Sequence, residues 1–297
     1  MTTTNKIVFI TSLERSGSTL LDITLGRHPD LVSFGEVARV LLPHGGGGMQ
    51  SVVDRPCSCG SKVSDCQFWG PVTQEISKRE SSLSLQDRYR IFLDHFYGIY
   101  GVSKTPVDSS KFLKAMEALV AQKQEGLDIR LLFTIRDVRG WSSSSKRADK
   151  KKRELPYSRL FSRDIIQWWK PYLRHNVLRH IPFWLPLEWF LRNSIIERFI
   201  LRNDTSVHHL SYEMLALDTD KTLSKLHSYI GVEPGLQANK PQTHIVRGNR
   251  MAFDQSKISS IKYDHQWLKE VWTQYEAMAW PFVMTKNRDW VYDQRDE

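Results

Sequence analysis

Short runs of consecutive apolar residues alternate along this chain with longer segments whose apolar positions recur every three or four residues. The first run, Lys6-Ile-Val-Phe-Ile-Thr-Ser12, is rich in β-branched residues and predicts a strand buried on both faces. Residues 130–135 and 206–212 repeat that pattern, and residues 105–110 predict a further strand end. Helical spacing predicts helices over 19–26, 84–100, 112–124, 138–146, 219–230 and the tail 257–279. His28-Pro29 stops the first of these and Gly231 closes the helix that ends at 230. Gly45 to Gly48 predicts a flexible loop, and 51–70 looks irregular. Residues 155–201, crowded with tryptophan, proline and arginine, predict irregular helices. Strands alternating with helices imply an α/β fold with a central parallel sheet covered on both faces. No internal repeat is visible. Residues 1–297 are read as one domain with a helical insertion at about 147–203.

Composition changes this picture little. Apolar residues make up 40% of 297, enough for a core without a disulfide scaffold or a metal. The 42 Lys+Arg against 33 Asp+Glu give a net charge of +9, which favours anionic partners without choosing among nucleic acid, membrane and a phosphorylated small molecule. No run of 18 apolar residues occurs, and the most apolar patch, 181–191, is broken by two prolines, so no membrane span is expected. The start of the chain carries no signal-peptide pattern, which predicts a cytoplasmic protein. Cys57, Cys59 and Cys66 are odd in number and close together, unlike a secreted disulfide framework. A zinc site needs a fourth ligand, and His44 is the only histidine nearby upstream. The thiols are therefore read as tucked under a glycine-rich loop, with no metal.

The segment Leu13-Glu-Arg15-Ser16-Gly17-Ser18-Thr19 joins a predicted strand to a predicted helix. Unpaired amides at a helix start, with the positive end of its dipole, attract an oxyanion. Gly17 lets the backbone approach it closely, the hydroxyls of Ser16, Ser18 and Thr19 add donors, and Arg15 adds a charged fork. The plainer alternative is a capped turn. A nucleotide triphosphatase loop would place glycine at Ser12 and lysine at Ser18, so a kinase or ATPase is disfavoured.

These residues carry a resemblance. Arg15-Ser16-Gly17-Ser18-Thr19-Leu20-Leu21, followed by His28-Pro29 and Gly35-Glu36, resembles the 5'-phosphosulfate loop of sulfotransferases that use 3'-phosphoadenosine 5'-phosphosulfate (PAPS). It is closer to the carbohydrate and protein-tyrosine branch and its bacterial members than to the small-phenol enzymes. Arg136 at a strand end and Ser144 eight residues later resemble the family's 3'-phosphate site, with Val138 where the family often has proline. Tyr212-Glu213-Met-Leu215, with Gly231 further on, is similar to the segment that closes over the adenosine. His244-Ile-Val-Arg247-Gly248-Asn249-Arg250 is similar to a late basic loop that reaches the nucleotide phosphates. Asp108-Ser109-Ser110-Lys111 and the cysteine segment through Phe68-Trp69 also recur in bacterial members. The resemblance implies a P-loop-like three-layer fold and a PAPS-dependent sulfotransferase without metal. Arg15, Ser16, Gly17, Ser18, Thr19, Leu20, Arg136, Ser144, Tyr212, Arg247, Gly248, Asn249 and Arg250 would then bind the donor.

Sulfuryl transfer needs positioned charge more than covalent chemistry. Arg15 and the amides after it suit the transferring and leaving oxygens. Lys111, at a strand end on the same rim, is the candidate second cation. Glu36 is the candidate base, supported by the glutamate the sugar and tyrosine branch has there; the plainer alternative is a surface or capping carboxylate. His28, His95, His208 and His209 suit core or capping roles better. The expected acceptor is a small-molecule or glycan hydroxyl, a carbohydrate or other aliphatic alcohol. Rival classes are an NTP-dependent phosphotransferase with a degenerate loop, and a non-catalytic binder of PAPS or nucleic acid. Nucleic acid is not expected as a partner, and oligomeric state stays open.

Overall fold

The computed structural model describes residues 5–42, 48–153, 181–235, 243–247 and 261–293. Five strands form one parallel sheet: β1 (Lys6–Ser12), β2 (Leu31–Ser33), β3 (Thr105–Lys111), β4 (Asp128–Ile135) and β5 (Val207–Ser211), in the order β2-β3-β1-β4-β5. The helices in chain order are α1 (Ser18–Leu25), α2 (Val37–Leu41), α3 (Gln50–Val53), α4 (Trp69–Lys78), α5 (Leu85–Tyr100), α6 (Leu113–Val120) and α7 (Val138–Arg153). They continue with α8 (Trp184–Arg202), α9 (Tyr212–Leu217), α10 (Thr219–Ile230), α11 (Val271–Met278) and α12 (Pro281–Val291).

The alternation of side chains along β1 builds three layers. Val8 and Ile10 pack with Leu21 and Leu25 of α1, Leu215 of α9, and Leu226 and Ile230 of α10. Ile7 and Phe9 point the other way, into a larger core fed by α2, α4 to α8 and α12. All four β1 side chains are fully buried, as the unbroken apolar run predicts for a central parallel strand.

β1 and α10 have the predicted bounds, and α5 starts at Ser84 with a capping box closed by Asp87. Several expectations change: α7 runs on to Arg153, past the predicted end at 146, and the helix predicted over 112–124 is α6 followed by a 3-10 turn at Ala121–Glu125. Residues 184–202 form one unbroken helix rather than irregular ones; Pro186 falls in its first turn, where backbone amides lack intrahelical acceptors. The tail holds a 3-10 turn at Gln266–Lys269 and then α11 and α12, instead of one long helix. β2, three residues long, was not predicted. The Gly45–Gly47 part of the glycine loop, Trp168 and Trp169 lie outside the described residues. Among the described residues, no helix is long and apolar enough to cross a membrane.

The strand order decides where chemistry collects. The chain leaves β1 toward β2 along one face through α1, and leaves β3 toward β4 along the other face through α6. Connections that diverge from neighbouring strands open a crevice at the carboxyl ends of those strands. The loops after β1 and β3 flank that crevice.

Asp22 ties α1 to the sheet beneath it. Its carboxylate accepts from Ser33 Oγ (2.7 Å) and Ser109 Oγ (3.1 Å) at a site 1% exposed. Burial pushes its carboxyl up from 3.8 to about 7. Between those values the folded chain holds a proton that the unfolded chain has lost, so the carboxyl's contribution to stability is full below about 4 and fades as pH rises to about 7. Asp22→Asn removes this titration. Relative to the unaltered chain, its stability is expected to rise steadily between pH 4 and pH 7 and then level off, by at most about 1.4 kcal/mol per pH unit, and its melting temperature to follow. Melting curves at half-unit pH steps would show a flat difference if the site were unbuilt.

Candidate active site

The loop after β1 is shaped by two residues of positive φ, Arg15 (+72°) and Gly17 (+88°). A Cβ on Gly17 would lie 2.8 Å from Cδ2 of Tyr212, so no side chain fits there. Ser16 and Ser18 are buried, Thr19 and Leu20 are half-buried, and the Arg15 side chain is exposed. Among the described residues, no side chain caps the start of helix α1. Its first amides are therefore open donors at the loop, with the dipole behind them.

Arg136 leaves the tip of β4 and reaches across to this loop. Its Nη1 donates to the carbonyl of Arg15 (3.3 Å), and its guanidinium lies 4.5 Å over the ring of Tyr212. Its Nη2 donates to Asp264 Oδ2 (2.9 Å), which also accepts from Arg147 Nη2 (2.9 Å). Two guanidiniums thus hold one carboxylate oxygen, an arrangement that suits any oxyanion. Arg136 Nε is buried and without a partner among the described residues. Ser144 lies half-buried on α7, between Ser143, which donates to Glu270, and Arg147. The Tyr212 hydroxyl accepts from the amide of Asp264 (2.8 Å).

On the other side of the loop, Glu36 stands at the head of α2, 8% exposed. Asp108 Oδ1 and Ser110 Oγ at the end of β3 accept the amides of Val37 (3.3 Å) and Ala38 (2.8 Å) and so fix this helix start. Tyr89 donates to Asp108 (2.6 Å), whose carboxyl burial raises to about 6. Lys111 Nζ donates to Glu36 Oε1 (2.8 Å), and Arg39 Nε lies 2.5 Å from Oε2. The Glu36 amide donates to the carbonyl of Arg247 (3.2 Å). Gly35 permits this crossing: a Cβ there would lie 2.7 Å from both that carbonyl and Ile245 Cγ2. Burial, then the charges of Arg55 and Arg39, weaken the hold of Arg247 on its proton, and Glu36 offsets them. One carboxylate sits among several cations at the rim. Lys111 also joins the two halves, because its carbonyl accepts from Thr11 at the end of β1 (3.3 Å).

A family model described as the sulfotransferase family matches residues 8–235, more than half of the chain. The chain belongs to the sulfotransferase family. It is similar to the solved sulfotransferase domain from the curacin biosynthetic pathway, at 21% identity over 93% of this chain and 97% of that one, with a TM-score of 0.51. The sulfotransferase domain of the Synechococcus PCC 7002 olefin synthase aligns at 16% identity, over 93% and 94% of the two chains, with a TM-score of 0.49. A sulfotransferase from Alicyclobacillus acidocaldarius aligns at 14%, over 93% and 95%, with a TM-score of 0.45. At 21% identity the first likeness speaks for the fold alone. No curated protein sequence matches the chain.

Within this sulfotransferase-family fold, many of the sequence-predicted residues gather at one rim, while no hydrogen bond joins Ser144 to Arg136 among the described residues. Arg15 to Thr19, Arg136 and Tyr212 meet directly, and Glu36, Lys111 and Arg247 form the neighbouring cluster. Gly248, Asn249 and Arg250 lie outside the described residues. His28 is engaged structurally, its Nε2 2.8 Å from the carbonyl of Glu233. Sequence reasoning missed Arg39, although its place three residues after Glu36 on a helix was a usable signal. It also missed Asp264 and Arg147, whose meeting with Arg136 carries no local signature.

Proposed function

We propose that this chain transfers a sulfuryl group from PAPS to a hydroxyl acceptor, a carbohydrate or another aliphatic alcohol. Residues 1–297 are taken as one catalytic domain. The supporting observation is the direct contact of two strand tips: Arg136 donates to the Arg15 carbonyl while Tyr212 fills the space against Gly17. Two anion-seeking groups side by side suit a ligand with phosphates at both ends. The orphaned Arg136 Nε and the uncapped amides of α1 are donors that fit such phosphates.

The donor supplies an activated sulfuryl group on a phosphate leaving group. The amides of Gly17 to Thr19, with Arg15, hold the oxygens that gain charge. Arg136 and Ser144 hold the 3'-phosphate, and Tyr212 lies against the adenosine. Glu36 accepts the proton of the attacking hydroxyl and later passes it to solvent. Lys111 neutralises the leaving oxygen and orients Glu36. The acceptor oxygen thereby gains the sulfur that the phosphate oxygen loses.

Thermal shift tests the donor directly. At about 100 times its Kd, 3'-phosphoadenosine 5'-phosphate is expected to stabilise the chain by roughly 2.7 kcal/mol, a rise on the order of 5 °C. ATP with magnesium is expected to give far less. Equal or larger stabilisation by ATP with magnesium would overturn PAPS as the donor.

A further inference from the structure

We propose that Cys57, Cys59, Cys66 and His244 form a structural zinc site that fastens the cysteine loop to the chain beside Glu36. The three Sγ atoms and His244 Nδ1 all lie within 4.8 Å of one another. Cys66 Sγ is 3.7 Å from Cys59 Sγ, 3.8 Å from Cys57 Sγ and 3.3 Å from His244 Nδ1. Cys57 Sγ is 3.9 Å from the same nitrogen. A tetrahedral ion with bonds of about 2.3 Å to sulfur and about 2.0–2.1 Å to nitrogen sets its sulfurs about 3.8 Å apart and sulfur about 3.5 Å from nitrogen. These four separations scatter around those edges. A disulfide needs sulfurs about 2.0 Å apart. Cys66 stands almost equally far from both other cysteines, so the arrangement prefers neither pairing.

Three thiolates and one imidazole in a closed set of four are the donors of structural zinc. Each thiol loses its proton to solvent as its sulfur bonds the ion, and His244 binds neutral through Nδ1. The surroundings already hold these ligands. His244 Nε2 lies 2.9 Å from the Tyr100 hydroxyl, which can take the ring N–H and leave Nδ1 free for the metal. The amide of Trp69 donates to Cys66 Sγ (3.4 Å), and its indole donates to the His244 carbonyl (2.6 Å). Gly60, at φ +98°, donates to the Cys57 carbonyl (3.0 Å) and closes the turn that brings Cys57 and Cys59 together. The rings of Phe34 and Phe68 lie 5.8 and 5.5 Å from the His244 ring and cover that side of the cluster. Cys59 is exposed and offers a route of entry.

The sequence hides this site. His44, the histidine near the cysteines, lies outside the described residues, and the nitrogen beside them belongs to a residue 178 positions after Cys66. The ion would lock that distant segment in place. The His244 amide donates to the Ser33 carbonyl (2.9 Å) as β2 ends, and three residues on the Arg247 carbonyl accepts the Glu36 amide (3.2 Å). Its consequence for Glu36 rests on the proposed function; the metal site itself does not.

The chain is purified without chelator from cells supplied with zinc, and metal is measured by inductively coupled plasma mass spectrometry. About one zinc per chain is expected, and Cys59→Ser is expected to retain under about one tenth of that. Because a ligand variant can misfold, the unaltered chain is also loaded with cobalt(II). Thiolate-to-cobalt charge transfer and the intense visible bands of a tetrahedral ion are expected. An unaltered chain with neither zinc nor cobalt bands, or with a disulfide among these cysteines in its unreduced peptides, overturns the proposal. Neither readout involves the donor. A chain that holds zinc and ignores 3'-phosphoadenosine 5'-phosphate sinks the sulfotransfer reading and leaves the metal site standing.

Discussion

Glu36→Gln is expected to lower turnover by about 10²–10⁴-fold without weakening the binding of 3'-phosphoadenosine 5'-phosphate. The two side chains have nearly the same shape, so the head of α2 keeps its anchors on Asp108 and Ser110. What changes is the proton. A carboxylate can take one from an attacking hydroxyl, and a carboxamide cannot. Both Glu36 oxygens lie against cations, Lys111 at 2.8 Å and Arg39 at 2.5 Å, but each keeps a second lone pair for an incoming hydroxyl. Removing the charge leaves Lys111, Arg39 and Arg247 without their shared counter-ion. Affinity for the doubly phosphorylated product is therefore expected to stay level or tighten slightly. Turnover with labelled PAPS and product affinity by calorimetry measure the two effects separately. Undiminished turnover would remove Glu36 from the role of base, whatever its affinity did.

Local pattern explains why some of this site was legible and some was not. β1 and α10 could be bounded from the chain alone: an unbroken β-branched run admits few alternatives, and Gly231 takes the left-handed turn that ends a helix. β2 escaped because three residues are too few to show a period. α12 escaped although Pro281 stood at its first position, a usable start signal. α8 was read as irregular because a proline that disrupts a helix interior is harmless in a first turn. The same division runs through the site. Arg15 to Thr19 lie within one strand–turn–helix unit, and Arg136 and Ser144 within another, so each set is local enough to be read from a motif, the second through the family resemblance. The partners that complete them come from far along the chain. Asp264 meets Arg136 across 128 positions, and His244 reaches Cys57 across 187. No periodicity encodes such meetings; they follow from which strands become neighbours. The segment holding His244 bonds along β2, the one strand that the pattern did not reveal.

Arg136→Ala is expected to weaken binding of 3'-phosphoadenosine 5'-phosphate by on the order of 10²-fold. Hydrogen bonds to a charged group are worth about 1.5–3 kcal/mol each, and a guanidinium presents a fork of them to one phosphate. Its setting makes the loss specific. The residue is 5% exposed, its Nη1 props the carbonyl of Arg15, and its Nε has no partner among the described residues. Truncation therefore removes the proposed phosphate donor and a brace of the neighbouring loop together. It also leaves Asp264 with Arg147 as its remaining guanidinium. Arg136→Lys separates charge from shape. A lysine keeps the charge and loses the planar fork, so an intermediate loss of affinity is expected. Calorimetry gives the affinities, and melting curves without ligand show whether either variant has lost its fold. If both folded variants bound the product as tightly as the unaltered chain, the β4 tip would have no part in holding the nucleotide, and two phosphates gripped by adjacent strand ends would no longer explain this site.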